Sequence, residues 1–399
     1  MLGVVVTLRP PMAAYLSRSE RVVRAVRGRL RPLRQAAEGS FNRVRLGASG
    51  AAWRARARGK GTPAPPLWAA RREYPMLGAN PIGRPNAPAA DLSVLVHRER
   101  DVVVNGMGQV IKGSTWLVGL TNPEPKALYG FTFDDYVYSQ VRNGWALSHV
   151  DVNGVSALGL HPAAFENYGY WVLELLPRLW LLAETKAQYD QILISPIRRP
   201  YERETLARLG VGVAGGTPIV EVPKRGVASC TELVTTTPSS YFQHAPEVVD
   251  FLRGLFADVR ATSGGRRLYI RRGDTPRRQI VNEDDLVERL GTHGVEPITP
   301  DEYTVAEQAA LFSSADLVVG GHGAALVNVA FCRPGATVLE IHSPAWQPSF
   351  WNMYGELAVT ADLRHETVGG VAVTDDMEGP FKVDVAEVVA KVGALTARV

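Results

Sequence analysis

The run from residue 266 to residue 341 constrains the fold more than any other part of this 399-residue chain. It opens with "RRLYIRR", a strand pattern, and continues with "NEDDLVERLGTHG", a helix whose first turn is acidic and which stops on glycine. "VEPITP" reads as a strand, "TVAEQAALFSSA" as a helix, "DLVVGG" as a strand, "AALVNVAF" as a helix and "ATVLEI" as a strand. Strands alternating with helices of about 10 residues predict parallel βαβ units. This half of the chain is therefore expected to form a Rossmann-like α/β domain.

In an open α/β sheet ligands bind beyond the carboxyl ends of the strands. Three segments fall there: "RRGDTPRR", "GGHGAA" and "HSPAW". The first carries Arg271, Arg272, Arg277 and Arg278, whose guanidinium groups suit phosphate oxygens. Alone such a loop is a solvated surface; opposite a glycine-rich helix start it becomes an anion site. "GGHGAA" is not a dinucleotide fingerprint, since Leu326 stands where a third Gly or Ala is needed, and no Lys-Ser/Thr pair follows to make a P-loop. Its three glycines nevertheless allow close backbone approach, and the following helix offers free N–H groups. His322 either donates to a phosphate or sugar hydroxyl, or bonds its own turn.

Towards the N-terminus, "LSVLVHRERDVVVNGMGQVIKGSTWLVG" alternates as short strands around a glycine turn. A turn-rich stretch follows, then the helical "ENYGYWVLELLPRLWLLAE". "QILISP", "PIVEV" and "ELVTTT" are expected strands, and "RETLARLG" a helix. In the helix at 167–182, Asn167, Tyr170, Glu174 and Arg178 form one polar stripe, and Pro177 is expected to kink or interrupt it. The stripe is either the half-buried face of a cleft or an internal Glu174–Arg178 pair at i,i+4. "TTTPSSYFQHAPE" is the expected interdomain linker.

Charge is unevenly spread. Residues 1–75 hold 16 Lys and Arg against 3 Asp and Glu, a balance of +13, and the rest of the chain balances at −9. Within this arm "YLSRSERVVRAVRGRLRPL" has the pattern of a basic amphipathic helix, suited to an anionic membrane surface or a partner groove. A nucleic-acid scaffold is the rival reading, without aromatic interleaving or a known module to support it. The expected division is 1–88 for the arm and a Pro/Gly/Ala-rich linker, 89–240 for an N-terminal domain and 241–399 for the Rossmann-like domain.

No apolar run approaches the roughly 18–20 residues that span a bilayer, and the N-terminus lacks a signal-peptide pattern. With two cysteines and no disulfide framework, a cytoplasmic protein is expected, held peripherally at the inner face of the plasma membrane. No metal is expected: the 8 histidines show no H-x-H or H-x-x-x-H spacing, and no D-x-D triplet occurs. The absence of G-x-S-x-G argues against a serine hydrolase.

Taken together, "ENYGYWVLELLPRL", "RLYIRRGDTPRRQIVNEDDLVERL" and "YTVAEQAALFSSADLVVGGHGAALVNVAFCRPGATVLEI" resemble the catalytic domain of glycosyltransferase family 61 over about residues 160–345. The resemblance implies a GT-B-like fold, two Rossmann-like domains facing a central cleft. It implies an inverting, metal-independent transferase without a cofactor, using a nucleotide sugar, UDP-linked, and a capsular, cell-wall or lipid-linked glycan acceptor. By motif position it implies donor-binding roles for Arg272, Arg278, Asn282, Glu283, Gly321, His322, Gly323, Ala324, Asn328 and Glu340. Asn167, Trp171 and Arg178, with Pro177, match the helix on the acceptor side. One departure is Tyr170, where the family has histidine. A tyrosine is a poor base near neutral pH, so Glu174 becomes the candidate base, with Tyr170 and His322 completing the catalytic set. A non-catalytic nucleotide-sugar-binding protein of the same fold is the alternative.

Overall fold

The computed structural model describes residues 70–73, 96–112, 115–118, 148–236 without 162–163, 165–166 and 225, 246–344 without 274 and 276, and 352–397 without 377. The basic amphipathic segment lies outside the described residues, as does the Pro/Gly/Ala-rich linker apart from 70–73. Residues 237–245 of the expected interdomain linker also lie outside. Among the described residues no helix is long and apolar enough to cross a membrane.

The C-terminal half forms a 5-stranded sheet, every pairing parallel, as the alternation requires. The N-terminal half is an 8-stranded mixed sheet. Its strands are β1 (Ala70–Glu73), β2 (Val96–Asn105), β3 (Val110–Lys112), β4 (Thr115–Val118), β5 (Ser148–Gly159), β6 (Gln191–Ile194), β7 (Ile219–Glu221) and β8 (Gly226–Thr236), in the order β1-β4-β3-β2-β8-β5-β6-β7. From β8 to β7 the pairings are parallel; β4, β3, β2 and β8 run as an antiparallel set. This half is thus Rossmann-like only on its β8-to-β7 side.

β5 is a strand where the sequence reads as turns. Asn153-Gly154 looks like a hairpin signal but is a bulge: the pairing with β8 shifts between Val152 and Val155, and Gly154 has φ +77°. The Asp190 carboxylate accepts from the Val155 N–H at 2.7 Å, and a Cβ at residue 154 would come within 2.4 Å of the same carboxylate. A glycine is needed there on both counts.

The parallel sheet comprises β9 (Arg266–Ile270), β10 (Glu296–Ile298), β11 (Ala315–Gly321), β12 (Thr337–His342) and β13 (Arg364–Gly369), ordered β10-β9-β11-β12-β13. The chain leaves β9 in one direction and returns on its other side, so the order reverses between β9 and β11. A small hairpin, β14 (Val371–Ala372) and β15 (Phe381–Lys382), follows.

The helices are α1 over 168–184, α2 (Pro200–Arg208), α3 (Pro246–Leu255), α4 (Glu283–Gly291), α5 (Val305–Ser313), α6 (Met353–Thr360) and α7 (Val385–Thr396). The expected helix "AALVNVAF" is a 3₁₀ segment, Ala324–Phe331. It is buried from Leu326 to Phe331. Arg253 donates to Ala330 O and Cys332 O, and Arg260 to Phe331 O, which satisfies the carbonyls at its end.

One apolar core joins the two halves. Ile192 and Val234 from the mixed sheet, Leu176 of α1 and Phe256 share it with Leu268 and Val318 of the parallel sheet and Phe331. The indole of Trp180 stacks on Phe251 at 4.9 Å, and Phe256 meets Phe331 edge-on at 5.3 Å. The Glu204 carboxylate on α2 accepts from the Val305 and Ala306 N–H groups, each at 2.7 Å, capping α5 from the other half of the molecule.

The proline effect expected in α1 takes a particular form. The α-helical turn Tyr168–Tyr170 passes into a π-helical turn, Trp171–Leu175, and back to α-helix at Leu176–Glu184. Pro177 lacks the N–H that a regular ladder would use and crowds the preceding turn; the widened turn accommodates both. The helix continues instead of stopping.

Candidate functional site

The carboxyl ends of β9 and β11 flank the reversal of strand order, where α/β sheets open a crevice. Arg271 and Arg272 leave β9, and Gly321, His322 and Gly323 leave β11. Arg272 spans the gap, its Nη1 donating to His322 O at 2.8 Å. A Cβ at residue 323 would lie 3.0 Å from that nitrogen and one at residue 321 would lie 3.5 Å away. Glycine at 323 thus lets a guanidinium rest against the backbone.

The Arg272 Nε is buried without a hydrogen-bond partner. Burial, then the positive charge of Arg278, pushes the Arg272 pKa down to about 10, so it is still cationic at neutral pH. Arg278 adopts a left-handed backbone at φ +51°. Its N–H donates to Glu378 O at 2.7 Å, and its Nε lies 3.2 Å from the Glu378 carboxylate. Two desolvated guanidinium groups that repel each other make a site that an anion stabilises. The other arginines of the loop go elsewhere: Arg271 pairs with exposed Asp284, and Arg277 is exposed.

His322 is 7% exposed and Glu340 is 1% exposed. The His322 Nδ1 lies 2.5 Å from Glu340 Oε1, while Glu340 Oε2 lies 2.9 Å from His365 Nε2 and 3.2 Å from His342 Nε2. Burial opposes ionisation of Glu340, but the His322 and His365 hydrogen bonds and the nearby His342 imidazole outweigh it and hold the carboxyl well below its usual range. Burial also lowers the His322 pKa despite the Glu340 bond. The pair at neutral pH is a neutral imidazole donating from Nδ1 to a carboxylate. Tyr354 packs edge-on against His322 at 5.3 Å, and its hydroxyl donates to Gly323 O.

Among the described residues, His322, Glu340 and His342 offer ligand atoms within 4.8 Å of one another, a set that could take a metal ion. The His322 Nδ1 already hydrogen-bonds one Glu340 oxygen, and the His342 Nε2 lies 3.2 Å from the other.

Other residues singled out in the sequence support the site from behind. The Asn282 side chain pairs with the Val383 backbone, donating to O at 2.9 Å and accepting from N at 3.2 Å. Glu283 accepts from Tyr269 OH at 2.9 Å and from the Arg272 N–H at 3.4 Å. Asn167 caps α1, its Oδ1 accepting from the Gly169 and Tyr170 N–H groups. Trp171 is a core residue whose Nε1 donates to Thr205 Oγ1 at 2.8 Å.

Asn328 links the two halves. It is fully buried, accepts from Tyr168 OH at 2.8 Å and donates to Gln308 Oε1 at 2.6 Å. Asn328→Leu strands both partners, so stability should fall by about 2–4 kcal/mol. Urea unfolding should show this as a lower midpoint at unchanged slope, whereas an unmoved midpoint excludes the bridge.

α1 begins beside Ala324, which a Cβ on Gly169 would approach to 3.8 Å. Further along it, Glu174 on the π turn and Arg178 are each 3% exposed. Arg178 donates to Leu160 O at 3.2 Å. Burial pushes its pKa down to about 10, against the opposing pull of Glu174. The His161 ring lies 5.6 Å from that of Tyr170, and burial, then Arg178, lowers the His161 pKa.

Arg272, Arg278, Gly321, His322, Gly323 and Glu340 are therefore brought together, and Tyr170, Glu174 and Arg178 form a second cluster with His161. Sequence reasoning passed over His342, His365, Tyr354 and Glu378. His342 carried a signal, because it follows Glu340 by two on a strand and so shares its face. The others come from separate elements.

Residues 168–339 match the family model described as Glycosyltransferase 61. The match supports transferase activity, with a nucleotide sugar and a glycan acceptor as substrates. No curated protein matches the chain.

Proposed function

We propose, from the glycosyltransferase 61 domain at residues 168–339 as premise, that the chain moves a hexose or pentose from a UDP-sugar to a growing capsular, cell-wall or lipid-linked glycan. In this reading the two halves act as donor and acceptor sides of a GT-B-like arrangement, the transfer inverts the anomeric centre, and no metal is used. The observation that carries it is the Arg272–His322 backbone contact across the strand-order reversal, with Arg278 alongside. Two half-buried guanidinium groups and the N–H groups following Gly323 are preset for the charge that develops on a departing diphosphate. They take the part a metal clamp plays elsewhere. Glu174 is the group proposed to take the acceptor hydroxyl proton, with Arg178 as its neighbouring charge.

Tyr170, in place of the family histidine, favours a second reading: a binder that holds the donor without turning it over. A panel of nucleotide sugars separates the two. A UDP-sugar at about 100 times its Kd should stabilise the fold by about 2.7 kcal/mol. The transferase reading also requires UDP release that depends on enzyme; stabilisation without release selects the binder, and no stabilisation by any nucleotide sugar overturns both.

A further inference from the structure

We infer that Glu378 is the resident anion of the donor site: its carboxylate neutralises Arg278 between turnovers, gives way to the donor diphosphate, and returns to help expel the nucleoside diphosphate product. The inference rests on the donor-site reading above. Glu378 lies in the turn that joins β14 to β15, and the backbone fastens that turn beside the arginine loop. The Arg278 N–H donates to Glu378 O at 2.7 Å, and the Glu378 N–H donates to Asp376 Oδ1 at 3.0 Å. The Phe381 N–H donates to Gln279 O and the Val281 N–H to Phe381 O, each at 2.9 Å. None of these bonds uses the Glu378 carboxylate, so it can swing away while the turn stays in place.

That carboxylate meets Arg278 through charge. Its Oε2 lies 3.2 Å from Arg278 Nε but accepts no hydrogen bond, and the side chain is 36% exposed. Other carboxylates of this corner are committed elsewhere. Glu283 accepts from Tyr269 OH and the Arg272 N–H, Asp284 pairs with Arg271, and Glu340 faces imidazoles. Burial lowers the Arg278 pKa and the Glu378 charge opposes it; the same charge also acts on Arg272. A carboxylate held without hydrogen bonds is displaced more readily than one that is hydrogen-bonded. A diphosphate brings more charge and several acceptor oxygens that suit the guanidinium fork, so it takes Arg278 and the carboxylate turns to solvent. Substrate and product do not compete equally. Each phosphate of a nucleotide sugar is substituted twice, whereas the terminal phosphate of a free nucleoside diphosphate ionises again. Glu378 therefore repels the product more than the donor.

The test is calorimetric titration of the full chain with UDP and with UDP-glucose, at one pH and ionic strength. Relative to wild type, Glu378→Gln should bind UDP about 5-fold more tightly and UDP-glucose about 2-fold more tightly, the scale of one half-exposed charge pair. Glu378→Asp keeps the charge and should fall between the two proteins. Asp375→Asn removes an exposed charge from the same turn and should match wild type. Unliganded melts establish that each variant is folded, and Glu378→Ala serves as a second neutral variant. Weaker or unchanged UDP binding in a folded neutral variant overturns the inference, as does an equal gain for the two ligands. So does the same gain in Asp375→Asn, or unfolding of both neutral variants, which makes Glu378 a structural support. Failure of the wild type to bind either ligand overturns the donor reading, and this inference with it.

Discussion

Replacing Arg272 with alanine should lower kcat by about 10²–10³-fold, the loss expected when one preset donor to a developing anion is removed. The same change should abolish thermal stabilisation by UDP-sugars. Arg272 does two jobs: it carries half-buried positive charge and it ties the β9 loop to the His322 carbonyl at 2.8 Å. Lysine keeps the charge but lacks the planar fork, so Arg272→Lys should recover only part of the activity. Circular dichroism melts without ligand separate the functional loss from unfolding. Near-normal turnover by a folded Arg272→Ala protein would remove the diphosphate site from this loop.

The second large effect concerns Glu174. Glu174→Gln keeps shape and hydrogen-bonding capacity while removing the basic carboxylate. Transfer should slow by about 10²–10⁴-fold, the range typical for loss of a general base. Donor binding should be unchanged, because Glu174 belongs to the cluster with Arg178 and His161, apart from the arginine loop. The two variants therefore fail in opposite ways. Arg272→Ala loses the donor, whereas Glu174→Gln holds it and does not transfer. Arg178 loses a counter-charge in this variant, so an unliganded melt is again needed. Turnover within a factor of two of wild type reassigns the base.

Much of the C-terminal half was legible because its signals are local. The alternation of strands and helices from residue 266 to residue 341 fixed a parallel sheet, and glycines at 320, 321 and 323 marked a close approach at a strand end. The N-terminal half was harder. Its longest strand, β5, contains Asn153-Gly154, and only the partner strand and the Asp190 carboxylate distinguish a bulge from a turn. The 3₁₀ form of Ala324–Phe331 was equally hidden, since its apolar pattern suits an α-helix as well, and the arginines that bond its terminal carbonyls come from residues 253 and 260.

By itself the sequence determined the fold class of the C-terminal half, the loops that flank its crevice and the residue types suited to an anion. Periodicity, glycine and charge act over a few neighbouring residues, and one chain is enough to read them. Tertiary structure decided the rest. It chose Arg272 and Arg278 over Arg271 and Arg277, made Asn167 a cap and Trp171 core, and closed three imidazoles from β12, β13 and the β11 loop around Glu340. Such pairings depend on which side chains lose water together, and that is settled only when distant segments pack.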